Sequence, residues 1–159
     1  NHTFWPVDMS MLNAKINLNI FPNDGLNIND NISIKSTLHG HPNGANSYKI
    51  NIDGKIIAYS TDCEHPEELN KNVIENARNS DILIHDAQYH NDELKEHKGW
   101  GHSSWEQAVE VAKLSNTKKL ILFHHDPFRS DDELSEIEKK AQLLFPSTIV
   151  SKQDLEIIL

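Results

Sequence analysis

Four short apolar runs of this sequence end in histidine or aspartate, the side chains whose nitrogen and oxygen atoms commonly bind metal ions. A short apolar run is typical of a buried strand, and ligands of α/β proteins bind outside the carboxyl ends of the strands. The four run ends therefore predict a metal site on one rim of a sheet. The runs are KSTLHGH, with His39 and His41; IIAYSTD, with Asp62; DILIHD, with His85 and Asp86; and LILFHHD, with His124, His125 and Asp126.

Not all of these side chains can reach one ion. Successive residues of an extended chain point to opposite sides, so only some of the residues from 124 to 126 can face the same metal. For His85 and Asp86 the alternative role is to orient a ligand histidine from behind. Asp62 has a second role open to it, as a helix cap, but the first predicted helical residue, Pro66, lies too far along the chain.

His102 is a candidate acid. It precedes Ser103, the predicted cap of a helix, and the positive end of a helix disfavours a charged imidazolium. Acting as an acid, it would need a nearby carboxylate or a phosphate substrate. The alternative is packing against the two tryptophans of GWGHSSW. His65, His90 and His97 lie in polar stretches and are predicted to be solvated.

The elements around these residues follow from periodicity and capping signals. An Asp53-Gly54 turn predicts a hairpin, and paired caps predict two of the three helices. Strands alternate with helices after that hairpin, which predicts an α/β fold with a mixed sheet covered by helices. The predicted strands are short ones within 14–38, then 48–52, 55–59, 81–84 and 118–123, and two more around a turn at 152–154. The predicted helices start at Pro66 (apolar face Leu69, Val73, Ala77), at the Ser103/Glu106 box (Trp105, Val109, Ala112) and at the Ser130/Glu133 box (Leu134, Ile137, Ala141, Leu144).

Size and charge limit the class of protein. The chain has 159 residues and a formal net charge of -9, which suits a single domain with no overall positive field for a polyanion such as nucleic acid. Cys63 is the only cysteine, so no internal disulfide forms, and core packing is its favoured role. No run has the length of a membrane span, which predicts a cytoplasmic protein. The opening residues 1–12 show no clear strand or helix period.

Several of these motifs together resemble a known family. The ordered set HPNGANSYK, YSTD, DILIHDAQY, GHSSWEQA and LILFHHDP resembles the second half of metallo-β-lactamase fold hydrolases, most closely the ribonuclease Z-like branch. The similarity covers residues from about 30 to about 146. It implies the C-terminal half of an αβ/βα sandwich, and residues 1–159 would then form one partial domain.

The resemblance also implies roles for individual residues. His41 is similar to a ligand of the first metal, Asp62 to a carboxylate bridging two metals, and His124 to a ligand of the second. His102 is similar to the histidine that contacts the scissile phosphate and assists the leaving group. The cofactors implied are two divalent metal ions, with zinc expected from the ligand types and manganese or iron suiting the same set.

Two departures from the family bear on the function. The H-x-H-x-D-H motif, which supplies most of the metal ligands in these enzymes, does not occur in these residues. Only a short hairpin separates Tyr48 from Asp62, where tRNA-processing members carry a long arm. The resemblance therefore favours a metal-dependent phosphodiesterase with a small or nucleotide substrate. A lactone or ester hydrolase, and a non-catalytic half-domain completed by a partner chain, stay open as alternatives. The oligomeric state, a homo-oligomer included, stays open too.

Overall fold

The computed structural model describes residues 11, 13–17 and 19–159, and in this part of the chain the strands form a mixed seven-stranded sheet. The strands lie side by side in chain order. They are β1 (Leu26–Asn27), β2 (Ile32–His39), β3 (Ala45–Ile52), β4 (Lys55–Ser60), β5 (Ile82–Asp86), β6 (Leu120–Phe123) and β7 (Thr148–Val150).

The directions of the strands bring the predicted ligands to one edge. Strands β1 to β4 pair antiparallel, and β4 to β7 pair parallel. Strand β2 therefore runs in the same direction as β4, β5 and β6. The four run ends identified in the sequence follow these four strands, so their histidines and aspartates all emerge at the same edge of the sheet.

The hairpin between β3 and β4 is confirmed. Asp53 has a φ of 52° and Gly54 a φ of 80°, the two positive values that a tight type I′ connection needs. Gly54 also donates its backbone N–H to the Asn51 side chain at 2.9 Å.

Three helices in the described part of the chain form one layer: α1 (Lys71–Ala77), α2 (Trp105–Leu114) and α3 (Asp131–Leu144). The predicted start of α1 at Pro66 is wrong. Asn70 caps that helix, because its side chain accepts a hydrogen bond from the backbone N–H of Asn72. The predicted apolar face is confirmed within the helix, where Val73 and Ala77 are fully buried.

The predicted cap of α2 is wrong by one residue. Ser104 and Gln107 form the capping box, so His102 lies two residues before the cap. Ser103 is engaged elsewhere: its backbone N–H donates to Asp86 and its hydroxyl to the carbonyl of Cys63. Glu106 instead accepts the backbone N–H of Asn91 at 3.2 Å.

The end of the chain differs from prediction in two ways. Only one strand, β7, forms after residue 147; Lys152–Asp154 includes a turn, and the residues beyond it have no strand partner in the described structure. The Ser130/Glu133 box of α3 is confirmed, but Leu144 is half exposed, whereas Ile137 and Ala141 are buried.

The helices cover one face of the sheet, and the main core lies between them. Ala58, Leu83, Leu120 and Leu122 point into this core, together with Cys63, whose predicted packing role is confirmed by its complete burial. The opposite face is also apolar. Register places half-buried side chains there in adjacent rows, which include Ile50 beside Ile57, and Tyr48 and Tyr59 beside Ile84.

Candidate metal centre

Three of the predicted site residues meet at the carboxyl edge of the sheet although they are far apart in sequence. Donor atoms of His41, Asp62 and His102 all lie within 4.8 Å of one another. Oδ1 of Asp62 also lies 3.6 Å from Nε2 of His124. His124 also belongs to a second group of donor atoms within the same limit, with Asp86 and His102.

These spacings fit divalent metal ions. Zinc bonds to nitrogen and oxygen ligands are about 2.0–2.2 Å long, so two ligands of one tetrahedral ion lie roughly 3.3–3.6 Å apart. The 3.6 Å separation of Asp62 and His124 matches that edge. Asp62 is therefore close to both His41 and His124.

The backbone at two of these residues is unusual. Asp62 has a φ of 52° and His124 a φ of 59°, in the left-handed region that non-glycine residues seldom adopt. Asp62 lies two residues after the end of β4, and His124 directly follows β6. Their side chains turn toward each other. Such conformations persist where the surrounding structure holds them, and they concentrate at functional sites. Residue types and spacing alone carried no signal for this feature.

Asp86 is the centre of the hydrogen-bond network behind the edge. Its side chain is fully buried and accepts from Nδ1 of His102 at 2.9 Å. It also accepts the backbone N–H groups of Asp62 at 3.0 Å, Ser103 at 3.0 Å and Gln88 at 3.3 Å. One carboxylate therefore fixes a predicted ligand, the candidate acid and the entry to α2.

The hydrogen bond that His102 donates to Asp86 raises the pKa of His102, against the opposing effect of its partial burial. This carboxylate is the partner that a histidine near a helix N-terminus needs in order to hold a proton. Nδ1 of His102 is occupied by Asp86, so Nε2 is the nitrogen left to meet a substrate. The ring stacks on His124 with centroids 4.8 Å apart and faces His41 edge-on at 6.0 Å.

His41 is held by a loop that the sequence did not identify. Glu64 accepts the backbone N–H of Gly99 at 2.6 Å and that of Gly101 at 3.1 Å. Gly101 has a φ of 93°, and a Cβ at this position would lie 2.7 Å from Nε2 of His41 and 2.8 Å from Cδ of Pro42. The residue must be glycine for the imidazole of His41 to occupy its place.

The other candidates lie outside this group. His125 pairs through Nε2 with the hydroxyl of Ser151 at 3.2 Å, and Asp126 accepts the backbone N–H of Phe128 at 2.8 Å. His39 and His85 are buried on the helix side of the sheet. His65, predicted to be solvated, is 5% exposed, because its ring lies against His85 and the backbone of Asn70.

No helix in the described part of the chain combines the length and apolar character that crossing a membrane requires.

Sequence comparison relates the chain to proteins named ribonuclease Z. It is 38% identical over 88 residues to ribonuclease Z of Enterococcus faecalis, covering 55% of this chain and 28% of that protein. It is 39% identical over 103 residues to ribonuclease Z of Archaeoglobus fulgidus, covering 62% and 31%. The chain thus spans about a third of the length of these curated relatives.

The fold has matches among solved structures. The metallo-β-lactamase fold protein YhfI of Bacillus subtilis superposes with a TM-score of 0.69 at 23% identity, covering 83% of this chain and 52% of that one. The short form of human tRNase Z gives a TM-score of 0.58 at 23% identity, covering 65% and 39%.

The family model described as the beta-lactamase superfamily domain matches residues 7–125, three quarters of the chain. The α/β sheet, the motifs at its edge and this match agree: the chain belongs to the metallo-β-lactamase superfamily and is related to its ribonuclease Z branch.

Proposed function

We propose that the protein to which this chain belongs is a metal-dependent hydrolase that cleaves phosphodiesters. The observation that carries the proposal is the Asp86–His102 pair, a buried carboxylate bonded at 2.9 Å to a histidine that lies among predicted metal ligands. A carboxylate-supported histidine beside a metal site can supply a proton to a departing oxygen.

His41, Asp62 and His124 would hold the metals, of which zinc is expected and manganese or iron would also suit the donors. When bound, two such ions activate water for attack and neutralise charge on the phosphate. Since each zinc needs about four ligands, three residues do not complete two shells. The remaining ligands would come from an H-x-H-x-D-H half of the complete protein.

The residues of this chain would manage the leaving group. As a new oxygen–phosphorus bond forms, the bond to the leaving oxygen breaks and its electron pair stays on that oxygen. His102 would transfer the proton from Nε2 to it, while Asp86 retains its bond to Nδ1 and stabilises the imidazolium beforehand. Asp86 thus acts through His102 and need not touch the substrate.

A small or nucleotide phosphodiester suits the chain better than tRNA. The net charge is -9, and the β3–β4 hairpin has a two-residue turn where tRNA-processing relatives carry a long arm. Hydrolysis of a lactone or another ester by the same residues is the alternative. A lactone opens to an alkoxide that also needs a proton, so the geometry around His102 does not separate the two.

The test uses the complete protein, or this chain joined to an H-x-H-x-D-H half, loaded with zinc or manganese. Bis(p-nitrophenyl) phosphate, diphenyl phosphate and a simple lactone are compared as substrates. We expect phosphodiester turnover. We expect His102→Ala to lower kcat by about 10² to 10⁴ on diphenyl phosphate, whose leaving oxygen needs a proton, and by less on bis(p-nitrophenyl) phosphate, with unchanged metal content. His90→Ala is the control, because His90 accepts the indole N–H of Trp105 at 2.8 Å and belongs to none of the donor groups.

Lactone cleavage without phosphodiester turnover would move the function to the alternative. A metal-loaded protein that turns over neither substrate would favour a binding module. An unchanged kcat on diphenyl phosphate in a stable His102→Ala variant would remove the acid assignment. A loss of melting temperature with that kcat intact would show that His102 only packs against its neighbours.

A further inference from the structure

Buried beside Asp86 lies a second group of donor side chains, Cys63, His65 and His85, which share no member with the groups at the edge of the sheet. Their exposed fractions are 0%, 5% and 0%. The proposed reaction does not use any of them directly. Nε2 of His65 lies 3.3 Å from Nε2 of His85, and Sγ of Cys63 lies 3.7 Å from that same atom.

The partners of the two rings determine where each hydrogen lies. Nδ1 of His65 accepts the backbone N–H of Asn70 at 3.0 Å, so its hydrogen is on Nε2. Nδ1 of His85 lies 2.7 Å from the carbonyl oxygen of Asp86, which can only accept, so this nitrogen carries the hydrogen. His65 therefore donates from Nε2 to the bare Nε2 of His85.

The result is a directed chain of hydrogen bonds from the cap of α1 to the end of β5, which we call the histidine relay. Every ring nitrogen in it has one role, and Nε2 of His85, which accepts from His65, also lies 3.7 Å from Sγ of Cys63. Burial lowers the pKa of His65 to about 3 and also lowers the pKa of His85, so both rings are neutral, as the relay requires.

A metal ion held by the same three side chains is the competing interpretation, since separations of 3.3 Å and 3.7 Å resemble the edges of a zinc tetrahedron. The partner of His65 argues against it. A metal on Nε2 would move the hydrogen to Nδ1, where it would face the N–H of Asn70 at 3.0 Å. Two donors would then oppose each other in a buried site.

We propose that His65 and His85 are positioning residues for the leaving-group step. His85 holds the peptide group of Asp86, His65 holds His85 in the tautomer that makes this bond, and Asp86 in turn orients His102. This inference rests on the proposed function, because it assigns the relay to the proton that His102 delivers.

The experiment compares His85→Leu with His85→Asn in the complete, metal-loaded enzyme. An asparagine amide nitrogen occupies nearly the position of Nδ1 and can still donate to the carbonyl of Asp86, whereas leucine cannot. Both variants leave the hydrogen of His65 without its acceptor, so both should melt earlier. The substrates are bis(p-nitrophenyl) phosphate, whose leaving group needs little protonation, and diphenyl phosphate, whose leaving group is a stronger base.

We expect His85→Leu to lower kcat on diphenyl phosphate by about 10- to 100-fold, with a smaller loss on bis(p-nitrophenyl) phosphate and unchanged metal content. His85→Asn should keep the wild-type ratio between the two substrates. His65→Leu, which leaves His85 free to change tautomer, should give an intermediate ratio and serves if His85→Leu does not fold.

Equal losses on both substrates, or the same ratio in the leucine and asparagine variants, would overturn the positioning role. Tight binding of an additional zinc ion that Cys63→Ser abolishes would replace the relay by the metal interpretation. If His102→Ala itself shows no dependence on the leaving group, the proposed function fails instead, so the two failures are distinguishable.

Discussion

Replacing Gly101 by alanine tests the metal role of His41 with a matched control nearby. Gly101 has a φ of 93° and Gly99 a φ of 83°, so alanine at either position incurs a similar backbone cost, about 1–2 kcal/mol. Both N–H groups donate to the same carboxylate, that of Glu64. The two positions differ in their surroundings: a Cβ on Gly99 would meet nothing within 4 Å, whereas a Cβ on Gly101 would meet His41 and Pro42.

The size of the effect follows from these distances. The Cβ of Gly101→Ala would lie 2.7 Å from Nε2 of His41 and closer still to Cδ2, and ordinary contact begins at 3.4 Å, so the ring must withdraw by more than about 0.7 Å. A side chain can rotate that far at small cost to folding. A metal ligand cannot move that far and keep its bond to the ion, because metal–ligand distances hold to within about 0.2 Å. We therefore expect zinc affinity to fall by about 10-fold or more in Gly101→Ala, as it does when support of a ligand is lost.

Zinc titration of the 159-residue chain against a chromogenic chelator measures this effect, and urea unfolding in excess chelator measures stability. Gly101→Ala should unfold at a lower urea concentration than Gly99→Ala, because the ring of Pro42 cannot rotate away from the added Cβ. Zinc affinity is compared where both variants are folded, and only Gly101→Ala should lose it. Equal zinc affinity in Gly101→Ala and Gly99→Ala would refute His41 as a ligand.

Three further predictions concern the same edge of the sheet. Because the pKa of His102 is raised above 6.5 in the folded state, its charged bond to Asp86 stabilises fully below pH 6.5, and this contribution is lost as pH rises through the raised pKa. In metal-free urea unfolding, the stability advantage of the wild type over His102→Asn, which keeps a neutral donor to Asp86, should be about 1–1.5 kcal/mol larger at about pH 5.5 than at about pH 8.5. An advantage that stays constant or grows with pH would contradict the pairing. The isolated chain should retain fewer than two zinc ions after extensive dialysis, since its described ligands do not complete two shells; two tightly held ions would show that the ligands are misassigned. Ser104→Ala should lower the free energy of unfolding by about 1 kcal/mol and Ser104→Thr by much less, because threonine also caps; equal losses would exclude Ser104 as the working cap of α2.

The histidines and aspartates at the ends of the apolar runs could be placed from sequence, because their position depends on the local pattern and on strand direction. An apolar run followed by histidine or aspartate needs no knowledge of the rest of the fold, and His41, Asp62 and His124 all lie at the predicted edge. The hairpin at Asp53-Gly54 was predictable for the same reason, since two adjacent residues specify the turn.

Cap positions were less predictable because several residues compete for them. Ser103 and Ser104 satisfy the same capping pattern, with Glu106 and Gln107 three residues later. The choice depends on Asp86 and Cys63, which bind Ser103 and lie more than ten residues away in sequence. The start of α1 has a similar explanation, because the N–H of Asn70 is taken by His65.

The contacts that hold the site residues in place were the least predictable part of the structure, and these contacts decide the chemistry. Asp86 had two roles open to it in the sequence, and its four donors come from three separate segments. Gly101 and His65 carried no local signal, since one matters through its contact with His41 and the other through a ring on β5. Ligand type follows from the pattern of single segments, but whether His102 holds a proton follows from contacts that exist only once β5, α2 and the loop after β4 have met.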